Sequence, residues 1–206
     1  MKPANVAVVN LSMSNQDYQC YNCNNLNNIT EIFCQKCNFI QPPLNMNHFS
    51  RLGVGVGFNV DKEQLENTYL TLQKMFHPDL YINKTEIEKN FAFKHSLLLN
   101  QAYTVIKSNL KRSEYLLSLN NIKVNIDDKD AISPDPELLN EIFELQNDIT
   151  ETTDTNKLKI LINDIEKQKK HIYKDLAQLF ETRQYLAAAH LTIKLNFLNN
   201  LRYEPD

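Results

Sequence analysis

Glycine is scarce in this sequence: only three occur in 206 residues, and all three fall within residues 53–57. Scarce glycine beside abundant Leu, Lys, Glu and Gln favours helices over a β architecture. The glycine cluster also lacks the lysine and the following helix that a Walker-type nucleotide loop requires. We therefore expect a mainly α-helical protein that does not hydrolyse ATP itself. No paired carboxylates, activated nucleophile or open metal site indicate another kind of enzyme.

Long apolar runs are also missing, since no stretch approaches the ~18–20 residues of a membrane-spanning helix. The net charge is −3 and the pI is close to 6.0, so the charge balance does not indicate general binding to nucleic acid or to a membrane surface. We expect a soluble protein of one or two domains, long enough to bury a core.

Arginine is absent from the first seventeen residues, where Lys2 is the only basic side chain. A mitochondrial presequence is normally arginine-rich and amphipathic, and a secretory signal has a longer apolar centre. We predict that residues 1–17 are a disordered tail, and this end taken alone favours the cytoplasm. The frequent asparagines that follow, as in residues 22–28, are interpreted as a compositional bias without a functional role.

All four cysteines lie in one short segment, as two Cys-x-x-Cys pairs separated by ten residues. A two-residue gap lets both thiolates of a turn reach one ion, and two such turns complete a tetrahedral sulfur site. Four thiolates leave no open coordination position, which indicates a structural metal whose binding is coupled to folding. We predict a zinc-ribbon-like segment over residues 18–43 that binds Zn²⁺ through Cys20, Cys23, Cys34 and Cys37.

Other interpretations of the cysteines stay open. Iron in a rubredoxin-like site would use the same ligands. Free thiols or two disulfides are less favoured, because a chain with no legible leader favours a reducing compartment. Many zinc ribbons bind nucleic acid, but Lys36 is the only basic residue around these cysteines, which argues against phosphate binding.

The tripeptide His77-Pro78-Asp79 separates two long amphipathic patterns. The upstream stripe recurs at helical spacing through Leu65, Tyr69, Leu72 and Phe76, and the downstream stripe through Ile87, Phe91, Leu98, Ala102, Val105 and Ile106. Pro78 ends the first helix, so we predict His77 and Asp79 on an exposed loop, where recognition is more usual than packing. The alternative is a plain helical bundle in which both residues only terminate a helix.

Helix starts are marked by capping signals. Asp61 with Gln64 approximates a capping box, and Thr85 with Glu88 has its full form. We predict two antiparallel helices joined by the short loop, with a brief helix over residues 46–52. A further helix near residues 109–119 is expected to turn three side chains inward, namely Tyr115, Leu116 and Leu119.

These features resemble a J-domain, the module with which co-chaperones stimulate ATP hydrolysis by a DnaK-class heat-shock chaperone. Four segments carry the resemblance: residues 48–52, 73–79, 100–103 and 110–117. The run from Lys94-His95-Ser96 to Tyr103 and the later Arg-x-x-Tyr-Leu-Leu ending are similar to HscB-type co-chaperones of iron–sulfur cluster assembly. That resemblance covers roughly residues 46 to 203, and eukaryotic members of the family have a segment that resembles residues 20–37.

The resemblance implies a J-domain over residues 44–120, in which four residues contact the chaperone: Lys74, His77, Pro78 and Asp79. A polar stretch with two prolines follows and predicts a linker over residues 121–136. Helical patterns then run over residues 137–151, 155–181 and 184–202, and short connections predict an antiparallel three-helix bundle within residues 137–206.

Two of the bundle's helices carry more apolar groups than one buried stripe needs, because Leu139 and Phe143 lie beside the main stripe, as does Phe197. A wide core stripe would explain them equally well. In HscB-type proteins the matching face binds the scaffold protein on which clusters are built. The resemblance implies that Leu139, Phe143 and Phe197 make apolar contacts there and that Glu144 makes an acidic one.

The implied function is a co-chaperone that brings the cluster scaffold to a DnaK-class chaperone and activates its ATPase. The resemblance favours the mitochondrion, against the cytoplasm favoured by the first seventeen residues, and leaves a homodimer open. Two other functions compete with it, a general J-protein for protein folding and a zinc-ribbon protein that binds nucleic acid. His95, His171 and His190 lie within helical patterns and are interpreted as packing or surface residues.

Overall fold

The structure is a computed structural model that describes residues 17–28, 31–124 and 131–202. The predicted tail, apart from residue 17, and the centre of the predicted linker lie outside these ranges. Contacts divide the chain into two compact units. Unit 1 comprises the residues up to 56 together with 60–107, and unit 2 comprises residues 57–59 and those from 108 onward.

Unit 1 begins with a small two-stranded antiparallel sheet. Strand β1 (Asp17–Gln19) pairs with β2 (Leu26–Asn28), so that Tyr18 lies opposite Asn27. A single bridge between Phe33 and Ile40 closes the second half of the segment. We call this part, described over residues 17–28 and 31–41, the cysteine ribbon.

Three α-helices complete the described part of unit 1: α1 (His48–Arg51), α2 (Lys62–Met75) and α3 (Glu86–Lys107). A 3₁₀ helix (Pro78–Tyr81) lies between α2 and α3, and both α1 and α2 pack on α3. The core they enclose is apolar, with fully buried side chains that include Phe49, Leu52, Leu65, Leu99, Ala102 and Ile106. The predicted helical hairpin with a short helix before it is therefore confirmed.

The capping box predicted at the start of α3 forms in full, and the one predicted at the start of α2 forms in part. Glu88 accepts from the Thr85 backbone N–H at 3.0 Å, and the Glu88 N–H points back to the Thr85 hydroxyl at 3.3 Å. Asp61 accepts from the N–H groups of Glu63 and Gln64, but the Gln64 side chain reaches the Gly53 carbonyl instead of returning to the cap.

The predicted stripe of α3 is wrong at its beginning. Ile87 is 48% exposed, whereas Glu88 is only 7% exposed. Glu88 turns inward because its carboxylate completes the cap with Thr85 and lies 3.6 Å from the Lys84 ammonium. The buried position that the apolar stripe assigned to Ile87 is therefore occupied by Glu88. Later along the helix, Leu99 is fully buried, while Leu98 is only partly buried.

A polar and aromatic cluster ties α2 to α3 on the outside. The Tyr69 and Tyr103 rings stack at 3.8 Å, and the Tyr103 hydroxyl donates to the Glu66 carboxylate. Lys107 lies over the Tyr103 ring and within 3.7 Å of Glu66. The hairpin is thus held by surface contacts as well as by its core.

In the described residues of unit 2 there are four helices: α4 (Asn109–Leu119), α5 (Pro136–Glu151), α6 (Thr155–Glu181) and α7 (Tyr185–Asn200). Helix α7 packs against each of the other three and is buried on most sides, so it forms the centre of the unit. The predicted helix bounds are reproduced to within two residues, and α4, which falls within the predicted J-domain range, packs on α7.

The inward face of α4 differs from the expected one. Leu116 and Leu117 are buried, Tyr115 is partly buried, and Leu119 is 42% exposed. The prediction for Leu119 was wrong because the helix ends at this residue, which leaves it at the margin of the packed surface.

A second buried cluster in unit 2 is built around Arg112. Its Nε donates to the Phe58 carbonyl at 2.7 Å, and its guanidinium lies 5.0 Å from the centre of the Phe58 ring. The Phe58 ring also stacks on Phe180 at 5.7 Å. Burial lowers the pKa of Arg112 to about 10, which still leaves it charged at neutral pH.

Within the described ranges, none of the helices combines the length and the apolar character that crossing a bilayer requires.

Candidate metal centre and docking surfaces

The four cysteine sulfurs of the ribbon converge on one point, and all lie within 4.8 Å of one another. Cys20 and Cys37 are 3.6 Å apart, and Cys23 and Cys34 are 3.7 Å apart. Sulfurs that surround a zinc ion at ~2.3 Å lie ~3.8 Å apart in a tetrahedron, whereas a disulfide bond is ~2.05 Å long. The spacing therefore fits four thiolates around one metal ion, and the four cysteines are not disulfide-bonded.

The two cysteine pairs are held by two copies of the same turn. The backbone N–H groups of Asn24 and Asn38 donate to the carbonyls of Cys20 and Cys34, at 3.0 and 2.8 Å. Both asparagines have left-handed backbones, with φ of 56° and 55°. Asparagine tolerates this conformation better than most residues, which explains why it follows the second cysteine of each pair.

The interpretation of the nearby asparagines as a compositional bias was therefore wrong. Asn27 is 4% exposed, and its side-chain oxygen accepts from the Gln35 N–H at 3.0 Å, which ties the first half of the ribbon to the second. The Asn22 amide points at the Cys37 sulfur from 3.8 Å. An Asn directly after each Cys-x-x-Cys was the signal in the sequence that could have found these roles.

The electrostatics of the centre favour thiolates at two of its cysteines and oppose one at Cys23, where a backbone donor of Asn25 is outweighed by burial and the neighbouring sulfurs, which raise the pKa to about 12. Burial raises the pKa of the Cys34 thiol, but N–H donors of Cys37 and Lys36 outweigh it and bring the pKa down to about 6. Burial also opposes ionisation at Cys20, and backbone donors from Cys23 and Asn22 lower its pKa overall. Thiolates are the form in which cysteine binds metals, so a cation at this centre would displace the protons that the sulfurs still hold.

The HPD loop (residues 77–79) lies between α2 and the 3₁₀ helix, as predicted, and its side chains face solvent. The His77 side chain is 55% exposed and that of Asp79 is 76% exposed. The His77 Nδ1 accepts from the Asp79 backbone N–H at 3.3 Å and lies 3.5 Å from the Asp79 carboxylate. With Nδ1 used as an acceptor, the neutral ring carries its proton on Nε2, where it can be donated to a partner.

The loop is anchored from below by aromatic residues on each side of it. Phe76 caps α2 and is 3% exposed, and Tyr81 is 6% exposed with its hydroxyl donating to the Met75 carbonyl at 3.2 Å. Burial and the nearby Glu88 carboxylate raise the pKa of Tyr81 to about 12. Lys74 is exposed one turn before His77, so the predicted chaperone-binding residues lie together at one end of unit 1.

Sequence reasoning missed the residue that connects the cysteine ribbon to α3. The Gln41 side chain donates to the Cys20 sulfur at 3.3 Å, while its backbone carbonyl accepts from His95 Nε2 at 2.9 Å. The interpretation of His95 as a packing residue is correct, because the ring is buried and stacks on Phe76. His171 and His190 are exposed.

The outer face of α5 carries exposed apolar side chains. Leu139 is 44% exposed and Phe143 is 65% exposed, which excludes the alternative that both belong to the core. Glu144 is exposed on the same helix, and Phe197 on α7 is half-buried. We call these four residues, for which the family resemblance predicts contact with the scaffold protein, the client face.

A close ion pair fastens the two helices of the client face to each other. Lys194 of α7 lies 2.7 Å from both carboxylate oxygens of Glu141 on α5. Gln146 adds a second tie, since its side chain exchanges hydrogen bonds with the backbone of Arg202 beyond α7. Helix α5 is thus positioned by polar contacts and by the burial of Leu138 and Ile149.

Comparison with known proteins gives consistent matches. Residues 134–204 match the family model described as the HSCB C-terminal oligomerisation domain. The chain is 29% identical over 196 residues to the iron-sulfur cluster co-chaperone protein HscB of Mus musculus, covering 95% of this chain and 83% of the mouse protein. It is 30% identical over 165 residues to a co-chaperone protein HscB homolog of Vibrio cholerae, covering 78% of this chain and 95% of the bacterial protein.

Among solved structures, the crystal structure of human co-chaperone protein HscB matches with a TM-score of 0.81 and 27% identity. The match covers 88% of this chain and 93% of the human one. It therefore includes residues of both compact units.

Proposed function

Since the chain belongs to the HscB family of co-chaperones, which act in iron–sulfur cluster biogenesis, we propose that it brings a cluster scaffold protein to a DnaK-class chaperone and stimulates that chaperone's ATPase. The observation that carries this proposal is the exposure of His77 and Asp79 on a loop whose flanking residues are buried. A loop of this kind is rigid where it joins the protein and free where a partner would bind it.

In this mechanism the HPD loop is the docking element for the ATP-bound chaperone. The His77 Nε2 proton and the Asp79 carboxylate offer one donor and one acceptor side by side. Lys74, exposed on the last turns of α2, adds a positive charge for an acidic surface of the chaperone. The protein holds these groups in place, and the hydrolysis itself belongs to the chaperone.

The client face supplies the second contact, with the cluster scaffold protein. Leu139 and Phe143 extend from α5 into solvent one helical turn apart, which is the arrangement of a small hydrophobic anchor. Glu144 beside them would pair with a cationic side chain of the scaffold. A general J-protein for unfolded clients would need no such fixed pair on a helix.

We propose zinc as the ion held by Cys20, Cys23, Cys34 and Cys37. Four thiolates in a closed tetrahedron are typical of structural zinc sites, and iron uses the same set. Elemental analysis of protein purified without added metal tests this assignment. About one zinc per chain is expected, and one iron per chain would overturn it.

A mitochondrial location is proposed from the resemblance to the eukaryotic members of the family. Fractionation of cells that express the full chain, with protease protection of the organelle fraction, tests it. Recovery of the protein only in the cytoplasmic fraction would contradict it.

The central test is the substitution His77→Gln. It removes the imidazole and leaves the buried anchors of the loop in place, so stimulation of the chaperone ATPase should be lost while scaffold affinity, measured by calorimetry, stays unchanged. The matched control is His171→Gln, which changes an exposed histidine of α6 and should retain full stimulation. Loss of scaffold binding together with stimulation in His77→Gln would argue against two separate contact surfaces.

A further inference from the structure

Gln41 connects the metal centre to the helices of unit 1 and is only 2% exposed. Its side-chain nitrogen donates to the Cys20 sulfur at 3.3 Å and to the Phe39 carbonyl at 2.7 Å. Its side-chain oxygen accepts from the Tyr21 N–H at 3.1 Å. Every one of these bonds depends on the fold of the cysteine ribbon, so the position of Gln41 depends on it as well.

The backbone of Gln41 continues the connection into α3. Its carbonyl oxygen accepts a hydrogen bond from His95 Nε2 at 2.9 Å, across 54 residues of sequence. A carbonyl only accepts, so Nε2 carries the ring proton. Burial is the largest influence on the pKa of His95 and brings it down to about 4, which agrees with a neutral ring.

His95 in turn supports the base of the HPD loop. Its ring stacks on the Phe76 ring at 4.6 Å with an angle of 16° between the planes. Phe76 is buried at the end of α2 and immediately precedes His77. A continuous set of contacts therefore runs from a metal-ligating sulfur through Gln41, His95 and Phe76 to the residue that opens the loop.

The cysteine ribbon also lies beside the loop on a second side. Phe33 and Ile40 of the ribbon line a groove of about 490 Å³ whose other wall includes Met75, Leu80 and Tyr81. Separately, the Tyr21 ring packs edge-on against Phe91 of α3 at 5.3 Å. The ribbon is thus part of the same packed body as the loop.

We propose that Gln41 and His95 are positioning residues through which the metal-bound cysteine ribbon holds the HPD loop in its docking conformation. A ribbon this small has little core of its own, so loss of the metal unfolds it. Gln41 then no longer presents its carbonyl, and the His95 N–H is left buried without an acceptor, which is unfavourable. The ring and the Phe76 that it supports lose their fixed positions, and the loop becomes mobile.

Any effect of metal loss on chaperone binding rests on the proposed function. The coupling between metal binding and the mobility of the HPD loop does not. The element with two states is the cysteine ribbon, which is folded with metal and unfolded without it. The test therefore measures the loop directly.

The experiment is hydrogen–deuterium exchange on the full zinc-loaded chain before and after chelation. The readout is the Asp79 and Leu80 amides, which donate to the His77 Nδ1 and the His77 carbonyl. In the wild type we expect chelation to speed their exchange about tenfold. Equal exchange with and without metal would overturn the proposal.

Two variants test the named residues. Gln41→Ala keeps all four cysteines, so it should retain zinc and nevertheless show the fast loop exchange of the chelated protein. Its matched control is Gln35→Ala, an exposed glutamine of the same ribbon, which should behave as the wild type. Equal exchange in these two zinc-loaded variants would also overturn the proposal.

His95→Phe keeps an aromatic ring against Phe76 and removes the hydrogen bond to Gln41. It should show fast loop exchange with zinc bound, and chelation should add little, because the connection is already broken. A full response to chelation in this variant would contradict a role for His95. If His95→Phe loses protection throughout α3, the substitution has disturbed the helix itself. The comparison of Gln41→Ala with Gln35→Ala then decides whether the ribbon holds the loop.

Chaperone binding gives a second readout that separates this proposal from the proposed function. Gln41→Ala should weaken chaperone affinity and leave scaffold affinity unchanged. If the wild type fails to stimulate any DnaK-class chaperone, the proposed function fails, while the exchange data still decide whether metal and loop are coupled.

Discussion

The HPD loop and the client face differ in what fixes their side chains. The loop depends on residues distant in sequence, since Phe76 and Tyr81 are buried beneath it and His95 supports Phe76 from α3. The client face depends on the regular geometry of α5, where Leu139 and Phe143 are one helical turn apart. Interactions with the loop should therefore be sensitive to damage elsewhere in unit 1, and those with the client face mainly to its own residues.

The largest expected effect comes from removing one metal ligand. Cys34→Ser should abolish stoichiometric metal binding and unfold the cysteine ribbon, because structural zinc sites contribute on the order of 10 kcal/mol to folding. Unit 2 contains no part of the ribbon, so its thermal unfolding transition should be unchanged. Metal content and calorimetric scans measure both. The control is Ser118→Ala, an exposed serine of α4. A lower unfolding temperature of unit 2 in Cys34→Ser would contradict the prediction that only unit 1 depends on the metal.

A smaller effect is expected at the client face. The double substitution Leu139→Ala with Phe143→Ala should weaken scaffold binding by ~2–4 kcal/mol, as for truncated hot-spot residues. Both side chains are exposed, so the free energy of unfolding should change little. Calorimetric titration with the scaffold and chemical denaturation separate the two quantities. Ile160→Ala, which truncates another exposed apolar side chain of unit 2, serves as the control. An unaltered dissociation constant in the double variant would reject the assignment.

The third prediction concerns pH and applies to unit 1. Burial is the main cause that lowers the pKa of His95 to about 4, and Arg51 contributes, while its ordinary value is 6.5. Above pH 6.5 the ring is neutral in folded and unfolded chains, so it adds no pH dependence. As the pH falls from 6.5 towards 4, the unfolded chain gains the proton first, and unit 1 should lose roughly 3 kcal/mol at most.

Denaturation of the full chain at several pH values, followed by the protection of α3 amides, measures this loss. The variant His95→Gln carries no titrating ring at this position and isolates the contribution of His95 from that of the Cys34 thiol, whose pKa of about 6 lies in the same range. An equal pH dependence in wild type and His95→Gln would refute the assignment.

Local rules predicted the helices well. Asp61 caps α2, and Thr85 with Glu88 begins α3, because both signals act within one turn of the chain. The metal centre was also legible, since two Cys-x-x-Cys pairs bring their own geometry. The exposure of His77 and Asp79 followed from a proline that stops a helix.

What could not be predicted depends on contacts between distant parts of the chain. Periodicity placed Ile87 inside because it cannot show that the rest of unit 1 covers the capping residue Glu88 and leaves Ile87 exposed. It could not show that α4 packs on α7, since both neighbouring sets of helices offer apolar faces. Gln41 carries no motif, and its role arises only where ribbon and α3 meet.

The central place of α7 has a consequence for biosynthesis. Helices α4, α5 and α6 all precede α7 in the chain, yet each packs against it. During translation these three segments leave the ribosome before α7 has been synthesised, and the apolar faces that pack on α7 are exposed until then. During that interval the nascent chain is open to aggregation, so the delivery protein would itself be a transient client of the cell's folding machinery.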